Sequence, residues 1–174
     1  NYAMQIMLFA ALGDESKKAL RAAAEIAERA GVWGMIAGQA EDLSAQGQKP
    51  DEKALYYIHA RKTADMLLAS LRSGGILGGA DEGLMRALTA YGEKLGLAFQ
   101  IQDDLLDLFG DAAALGKSVG KDEQKSKLTF PAVFGAERSQ KMQERYCREA
   151  AEALAGYNAL FLTEMAARLA KRES

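Results

Sequence analysis

Apolar residues recur along the chain at intervals of three and four, the spacing of amphipathic helices, and no useful stretch alternates as a β-strand does. Glycine-rich breaks, such as the one at 47–50, divide this pattern into segments. The segments predict helices over 1–12, 15–29, 52–72, 81–109, 138–155 and 157–171, a helix that carries Gln39 and Asp42, and a short helix beginning near 128–131. We therefore expect an all-α fold in a single domain, residues 1–174.

Several details of the pattern lead to structural expectations. The first segment, 1–12, is apolar almost all round and is expected to be buried. Glycines within 73–80 predict a turn, and Gly110 predicts the end of the long helix before it. Asp51 and Thr129 are placed to cap the helices that follow them.

Composition narrows the class of protein without identifying it. The 174 residues are 49% hydrophobic and 26% charged, with a net charge of -2, so broad electrostatic binding to nucleic acid is not expected. Cys147 is the only cysteine, which excludes an intrachain disulfide and a cysteine metal cluster. No apolar run approaches the roughly 20 residues that a membrane span requires, and we expect a cytoplasmic location.

The stretch Phe99–Asp107 concentrates the polar chemistry of the chain. Its polar members, spaced i, i+3, i+4 and i+7 on one helical stripe, are Gln100, Asp103, Asp104 and Asp107. Neighbouring carboxylates repel one another unless a cation binds them, and Mg2+ is usually held by one or two carboxylates together with substrate phosphates. The stripe predicts a Mg2+ site for a phosphorylated ligand; the alternative is an acidic face in contact with solvent.

Two further polar clusters precede that stretch. Lys62 and Thr63 are adjacent on a helix, and an ammonium beside a hydroxyl suits phosphate oxygens, although a solvated lysine is the simpler interpretation. Gln39 and Asp42 lie at i and i+3 in an apolar segment, where they are either surface residues or polar groups that need partners. His59, the only histidine, is expected to have a structural or hydrogen-bonding role.

A long segment after Gly110 carries the opposite charge. Residues 117–127 contain four lysines, among them Lys117 and Lys127, together with glycine. A long loop in a compact domain is often functional, and this one would close over anionic oxygens. The alternative is a charged loop without a function, but its position directly after an acidic helix favours a shared site for a cation and a diphosphate.

With these pieces placed, the sequence resembles the trans-isoprenyl diphosphate synthases, most closely the bacterial farnesyl diphosphate synthase type. The motifs that carry the resemblance are Gly38-Gln39-Ala40-Glu41-Asp42-Leu43, Ile58-His59-Ala60-Arg61-Lys62-Thr63, Phe99 to Asp107, Gly116-Lys117 and Ser126-Lys127-Leu128-Thr129-Phe130-Pro131. The resemblance implies a helical bundle around a central cavity, a homodimer, and Mg2+-dependent condensation of isopentenyl diphosphate with an allylic diphosphate.

The resemblance also implies a role for each candidate residue. Asp103 would ligate Mg2+, while Asp104 and Asp107 would complete the metal site from its outer shell. The residues matching contacts to the allylic diphosphate are Lys62, Thr63, Gln100, Lys117 and Lys127. Gln39 and Asp42 would line or support the cavity, and Lys62, Asp103 and Lys117 would be the catalytic residues.

One departure from the family pattern is serious. The family's first Asp-Asp-x-x-Asp motif and its contacts to isopentenyl diphosphate precede everything in this sequence, so the corresponding N-terminal helices are absent. We expect the chain to be inactive alone, and a non-catalytic fragment or subunit that pairs with an active synthase is the alternative. A terpene cyclase is disfavoured by the Lys-Thr and Gly-Lys motifs. Farnesyl diphosphate is the expected product, with geranyl and geranylgeranyl diphosphate left open.

Overall fold

The computed structural model describes residues 2–49, 51–114 and 127–171. In these ranges the chain forms α1 (Tyr2–Leu12), α2 (Lys18–Ala30), α3 (Met35–Ala45), α4 (Glu52–His59), a π-helical segment (Ala60–Ala64), α5 (Asp65–Gly78), α6 (Glu82–Ala114), α7 (Phe130–Phe134), α8 (Ala136–Ala153) and α9 (Leu160–Ala170). The same ranges contain no β-strand, which confirms the all-α expectation. None of these helices is long and apolar enough to cross a membrane.

Helix α6 is the central element, and its apolar side is buried along most of its length. Tyr91, Ala98 and Ile101 are fully enclosed, and α6 packs against α5 on one side and α8 on the other. Two clusters share this helix: one includes α4, α7 and α8, and the other includes α8 and α9. Each large side chain enclosed here contributes about 1.5–3 kcal/mol relative to exposure.

Glycines allow α6 to lie very close to the chain segment before it. A Cβ atom at Gly96 would lie 2.6 Å from the Ala64 Cα atom, and one at Gly92 would lie 2.7 Å from Leu68 Cδ2. Gly38 of α3 faces the backbone of Lys62 even more closely. The π-helical segment is therefore held between α3 and α6 with no room for side chains at these two crossings.

Helices α5 and α6 both continue past the glycines at which the sequence predicts their ends. Helix α5 continues through the predicted turn to Gly78, and only Gly79, with φ 75°, ends it. Gly75 is instead a packing position, because a Cβ there would lie 2.7 Å from Met85 Sδ. Helix α6 likewise continues past Gly110 to Ala114, since one glycine costs a helix only about 1 kcal/mol.

Helix α1 is exposed, so the expectation of burial over 1–12 is wrong for this chain. Phe9 and Leu12 are 72% and 82% exposed, and α1 packs chiefly against α2. A helix that is apolar all round can bury only the side that faces a neighbour, and among the described residues α2 supplies one side.

The caps at Asp51 and Thr129 are confirmed, because each side chain accepts backbone N–H groups of the following helix.

Partly buried ion pairs connect α2 to α5, and the apolar pattern does not predict them. Asp65 is only 3% exposed and accepts from Arg29 at 2.7 Å and from Arg61 at 3.3 Å. Glu25 accepts from Arg29 at 2.6 Å and from Arg72 at 2.5 Å. Removing either acid would leave enclosed arginine nitrogens with fewer partners, and the network therefore constrains how α5 begins.

The glycine crossings give a stability prediction with an internal control. We expect Gly96→Ala to lower the free energy of unfolding by about 1–3 kcal/mol, because the new methyl group meets backbone atoms of Ala64. Gly74→Ala, in an open position of α5, should raise it by about 0.5–1 kcal/mol through helix propensity. Urea unfolding followed by circular dichroism measures both; equal effects of the two substitutions would contradict the packing argument.

Candidate functional site

The π-helical segment Ala60–Ala64 carries Lys62 and Thr63 and differs in winding from the α-helices on either side. A π-turn accommodates an extra residue and is often found at functional sites. Both α3 and α6 pack against the segment. The adjacent residues Lys62 and Thr63 therefore contact different helices, one on each side.

Lys62 contacts α3 through an ion pair with Asp42. The Nζ–Oδ2 distance is 2.7 Å, and the lysine side chain remains 37% exposed. Gln39 is half-buried, one turn earlier on the same helix. Gly38 makes this arrangement possible, because only a residue without a Cβ allows α3 to lie directly against the backbone of Lys62.

Thr63 contacts α6 and begins a chain of hydrogen bonds. Its hydroxyl donates to Gln100 Oε1 at 2.8 Å, and the Gln100 amide donates through Nε2 to Asp104 Oδ1 at 3.3 Å. The sequence placed Thr63 and Gln100 in separate motifs. The fold brings them into direct contact.

The three aspartates of α6 have unequal surroundings. Asp103 is half-buried, Asp107 is exposed, and Asp104 is only 8% exposed. Asp104 Oδ2 accepts from the Phe130 backbone N–H at 2.9 Å, which joins α6 to the beginning of α7. Among the residues that the structure describes, no three Asp, Glu, His or Cys side chains converge as a ready-made metal site.

The donor set nevertheless fits Mg2+ in part. Asp103 and Asp107 lie one helical turn apart, and both offer carboxylate oxygens. Mg2+ commonly binds one or two carboxylates and takes its other ligands from phosphates and water, so these two residues fit one part of such a site. Asp104 has both of its oxygens engaged in hydrogen bonds within the protein.

His59 lies beneath the site and is almost completely enclosed. Its ring stacks on Phe130 with centroids 5.2 Å apart, and its Nε2 atom lies 3.8 Å from Asp104 Oδ2, too far for a hydrogen bond. Within the described part of the chain, neither ring nitrogen has a hydrogen-bond partner. Burial lowers the pKa of His59 to about 4, so the ring is neutral at physiological pH.

The pKa of Asp104 is shifted in the opposite direction, upwards. Burial is the main cause that raises its pKa to about 6, helped by the negative charges of Asp107 and Asp103. The hydrogen bonds from Phe130 and Gln100 oppose this change because they stabilise the ionised form. The apolar pattern gave no sign of this buried pair, since His59 and Asp104 are 45 residues apart in sequence.

The lysine-rich segment is described only at its end. Lys127 is exposed, three residues before Phe130, and the predicted contact at Lys117 lies outside the described residues. The described geometry thus unites Asp42, Lys62, Thr63, Gln100 and Asp104 by direct contacts. Gln39, Asp103, Asp107 and Lys127 lie on the same elements or on neighbouring ones.

Comparisons with known proteins place the chain in a family. A family model described as "Polyprenyl synthetase" matches residues 2–158. Geranylgeranyl pyrophosphate synthase 11 of Arabidopsis thaliana is 41% identical over 145 residues, which are 82% of this chain and 41% of that protein. Farnesyl diphosphate synthase of Escherichia coli is 38% identical over 160 residues, 87% of this chain and 53% of that protein.

Solved structures give the same fold. A geranyltransferase from Helicobacter pylori, in complex with magnesium and isoprenyl diphosphate, matches with a TM-score of 0.77 and 28% identity, over 98% of this chain and 55% of its own. A putative farnesyl-diphosphate synthase from Marinomonas sp. MED121 matches with a TM-score of 0.80 and 26% identity, over 97% and 58%. The chain thus spans between 41% and 58% of the length of these four relatives.

The two buried titratable groups predict opposite pH dependences of stability. The pKa of His59 is lowered on folding, so its contribution to the free energy of unfolding is lost as pH falls from 6.5 towards 4. The pKa of Asp104 is raised on folding, so its ionisation lowers stability as pH rises from about 4 to 6. Each effect amounts to up to about 3 kcal/mol.

The difference in the free energy of unfolding between each variant and wild type, plotted against pH, isolates the contribution of the substituted group. We expect His59→Gln to become more stable relative to wild type as pH falls from 6.5 to 4, and Asp104→Asn to become less stable from 6 to 4. Urea unfolding at half-unit pH steps measures both. Two flat difference curves would show that neither group is buried as described.

Proposed function

The chain belongs to the polyprenyl synthetase family, and from this premise we propose that it supplies one side of a Mg2+-dependent prenyltransferase site. The observation that carries the proposal is the contact system around the π-helical segment. Thr63 contacts Gln100 there, Lys62 is the adjacent residue, and Gln100 lies on the helix that carries Asp103 and Asp107. A cation, a hydroxyl, an amide and two carboxylates are groups that suit one side of a metal-bound diphosphate.

The proposed reaction joins an allylic diphosphate to isopentenyl diphosphate. The bond between the allylic carbon and the diphosphate oxygen breaks, and both of its electrons leave with the diphosphate. The double bond of isopentenyl diphosphate then provides the electron pair for the new carbon–carbon bond, and loss of a proton restores a double bond. The products are the elongated prenyl diphosphate, inorganic pyrophosphate and a proton.

The protein's task in this reaction is to stabilise the negative charge on the departing diphosphate. Preorganised positive charge is most effective where negative charge develops in the transition state. Mg2+, held by Asp103 with support from Asp107, would supply part of that charge. Lys62 would supply another part, with Lys117 and Lys127 as further candidates from the lysine-rich segment.

Lys62 would exchange one anionic partner for another on substrate binding. Its ammonium is paired with Asp42 but is 37% exposed, so a diphosphate can approach it from solvent. A lysine is a compact charge on a flexible stem and can change partners without moving the backbone. Asp42 would thus hold Lys62 near the site, and Gln39 would line the same side.

We propose that the other half of the metal site comes from outside these 174 residues. The sequence has one Asp-Asp-x-x-Asp motif, at 103–107, and the site requires carboxylates on the opposite side of the diphosphate. The chain alone would then not catalyse the condensation. We also propose a homodimer and farnesyl diphosphate as the product, with geranylgeranyl diphosphate as the alternative because synthases of both kinds are similar to the chain.

The role of Asp103 can be tested in the product of the complete gene. We expect Asp103→Ala to lower kcat for condensation by about 100-fold or more, since it removes charge stabilisation in the transition state. Glu82→Ala is the matched control, because it removes an acidic side chain that is 94% exposed in the first turn of the same helix. Unchanged turnover in Asp103→Ala, measured with radiolabelled isopentenyl diphosphate, would exclude the metal role.

The need for a second half of the site gives a separate prediction. The 174-residue chain should show no condensation activity, whereas the product of the complete gene should convert the same substrates. Chromatography of the radiolabelled products then identifies the chain length. An inactive complete product would instead favour a non-catalytic subunit, which co-purification with an active synthase would detect.

A further inference from the structure

A continuous chain of hydrogen bonds crosses the candidate site and ends at Asp104. Thr63 donates to Gln100, Gln100 donates to Asp104 Oδ1, and the Phe130 backbone N–H donates to Asp104 Oδ2 at 2.9 Å. The chain connects the π-helical segment, α6 and the first residue of α7. Within this chain of hydrogen bonds, Asp104 is the residue that accepts both from Gln100 of α6 and from Phe130 of α7.

The contacts of Asp104 are those of an anchor. Both of its oxygens accept hydrogen bonds from the protein, and the residue is only 8% exposed. A buried carboxylate is strongly unfavourable unless hydrogen bonds compensate it, and a carboxylate so compensated resists any movement that breaks them. To ligate a metal ion, Asp104 would have to give up at least one of these bonds, whereas Asp103 and Asp107 are more accessible.

The group that Asp104 holds is the beginning of α7, next to Lys127. Phe130 is fixed twice: its N–H by Asp104, and its ring, which is 0% exposed, by stacking on His59 and Phe134. Lys127 precedes it by three residues, so the two Cα atoms lie within about 11 Å of each other. The exposed Lys127 side chain therefore begins near a backbone position, that of Phe130, which is fixed to the helix of the three aspartates.

We propose that Asp104 is a positioning residue that fixes Lys127 and Gln100 relative to the carboxylates of α6. This inference rests on the proposed function for what Lys127 contacts, namely a diphosphate. The anchoring itself does not depend on that function. By accepting from Nε2, Asp104 also sets the orientation of the Gln100 amide and leaves Oε1 directed at Thr63.

The substitution Asp104→Asn separates anchoring from metal binding. An asparagine carbonyl can still accept from the Phe130 N–H, and its amide can donate to Gln100 if the Gln100 amide turns over and donates to Thr63. The hydrogen-bond chain then survives in reverse direction, without the negative charge. Asp104→Ala removes the acceptor altogether, and Asp107→Ala removes an exposed acid from the same stripe as the matched control.

Amide hydrogen exchange tests the anchor without any use of activity. In the product of the complete gene, we expect Asp104→Ala to accelerate exchange in residues 127–134 by about tenfold or more, since a hydrogen bond to a charged group is lost. Asp104→Asn and Asp107→Ala should leave exchange there within about threefold of wild type. Unchanged exchange in Asp104→Ala would overturn the proposal.

A second measurement decides between anchor and ligand even if Asp104→Ala fails to fold. Calorimetry with inorganic pyrophosphate at increasing Mg2+ gives the Mg2+ concentration that half-maximal binding requires. We expect Asp104→Asn to need less than about threefold more Mg2+ than wild type, because only a neighbouring charge is lost, whereas Asp103→Asn should need about tenfold more because a ligand is lost. An equal increase in Asp104→Asn would overturn the proposal. If wild type binds no pyrophosphate, the proposed function fails, and the exchange experiment still decides the anchoring.

Discussion

The close approach of three backbones at the π-helical segment is the constraint on which the candidate site depends. Gly38 lies against Lys62 on one side, and Gly96 lies against Ala64 on the other. Any Cβ at these glycines would push the helices apart by more than a hydrogen bond tolerates. The contact from Thr63 to Gln100, at 2.8 Å between two short side chains, would then be strained first.

The polar contacts of the site fall into two kinds that burial distinguishes. The pair of Lys62 and Asp42 is partly exposed, so water and a competing anion can reach it, and little free energy is needed to separate its members. Asp104 is enclosed, and breaking its bonds would leave a buried charge with too few partners. An exchangeable pair suits substrate binding, whereas a fixed one suits the positioning of the elements that bind.

Most helices could be predicted from the sequence because the apolar period determines which faces are buried. The helix ends predicted at 73–75 and at Gly110 were wrong, because both helices continue past these glycines. A glycine that ends a helix and a glycine that allows close helix packing have the same local sequence pattern. The sequence predicts the pair Lys62 and Thr63 and the motif with Gln100, but not the contact between them. The contact from Phe130 N–H to Asp104 could not be predicted, because it depends on how α7 returns to α6 after residues 115–126.

Helix geometry explains why the three aspartates do not act alike. Successive residues are rotated by about 100° around an α-helix, so residues four apart differ by only about 40°. The motif is therefore two overlapping i, i+4 pairs, Gln100 with Asp104 and Asp103 with Asp107. The first pair lies beside Ile101 and Leu105, which are buried, and Asp104 follows them into the core. The second pair is rotated away from the core, where its carboxylates are more accessible than that of Asp104. One spacing thus places an enclosed carboxylate beside two more accessible ones, the arrangement on which the proposed metal site rests.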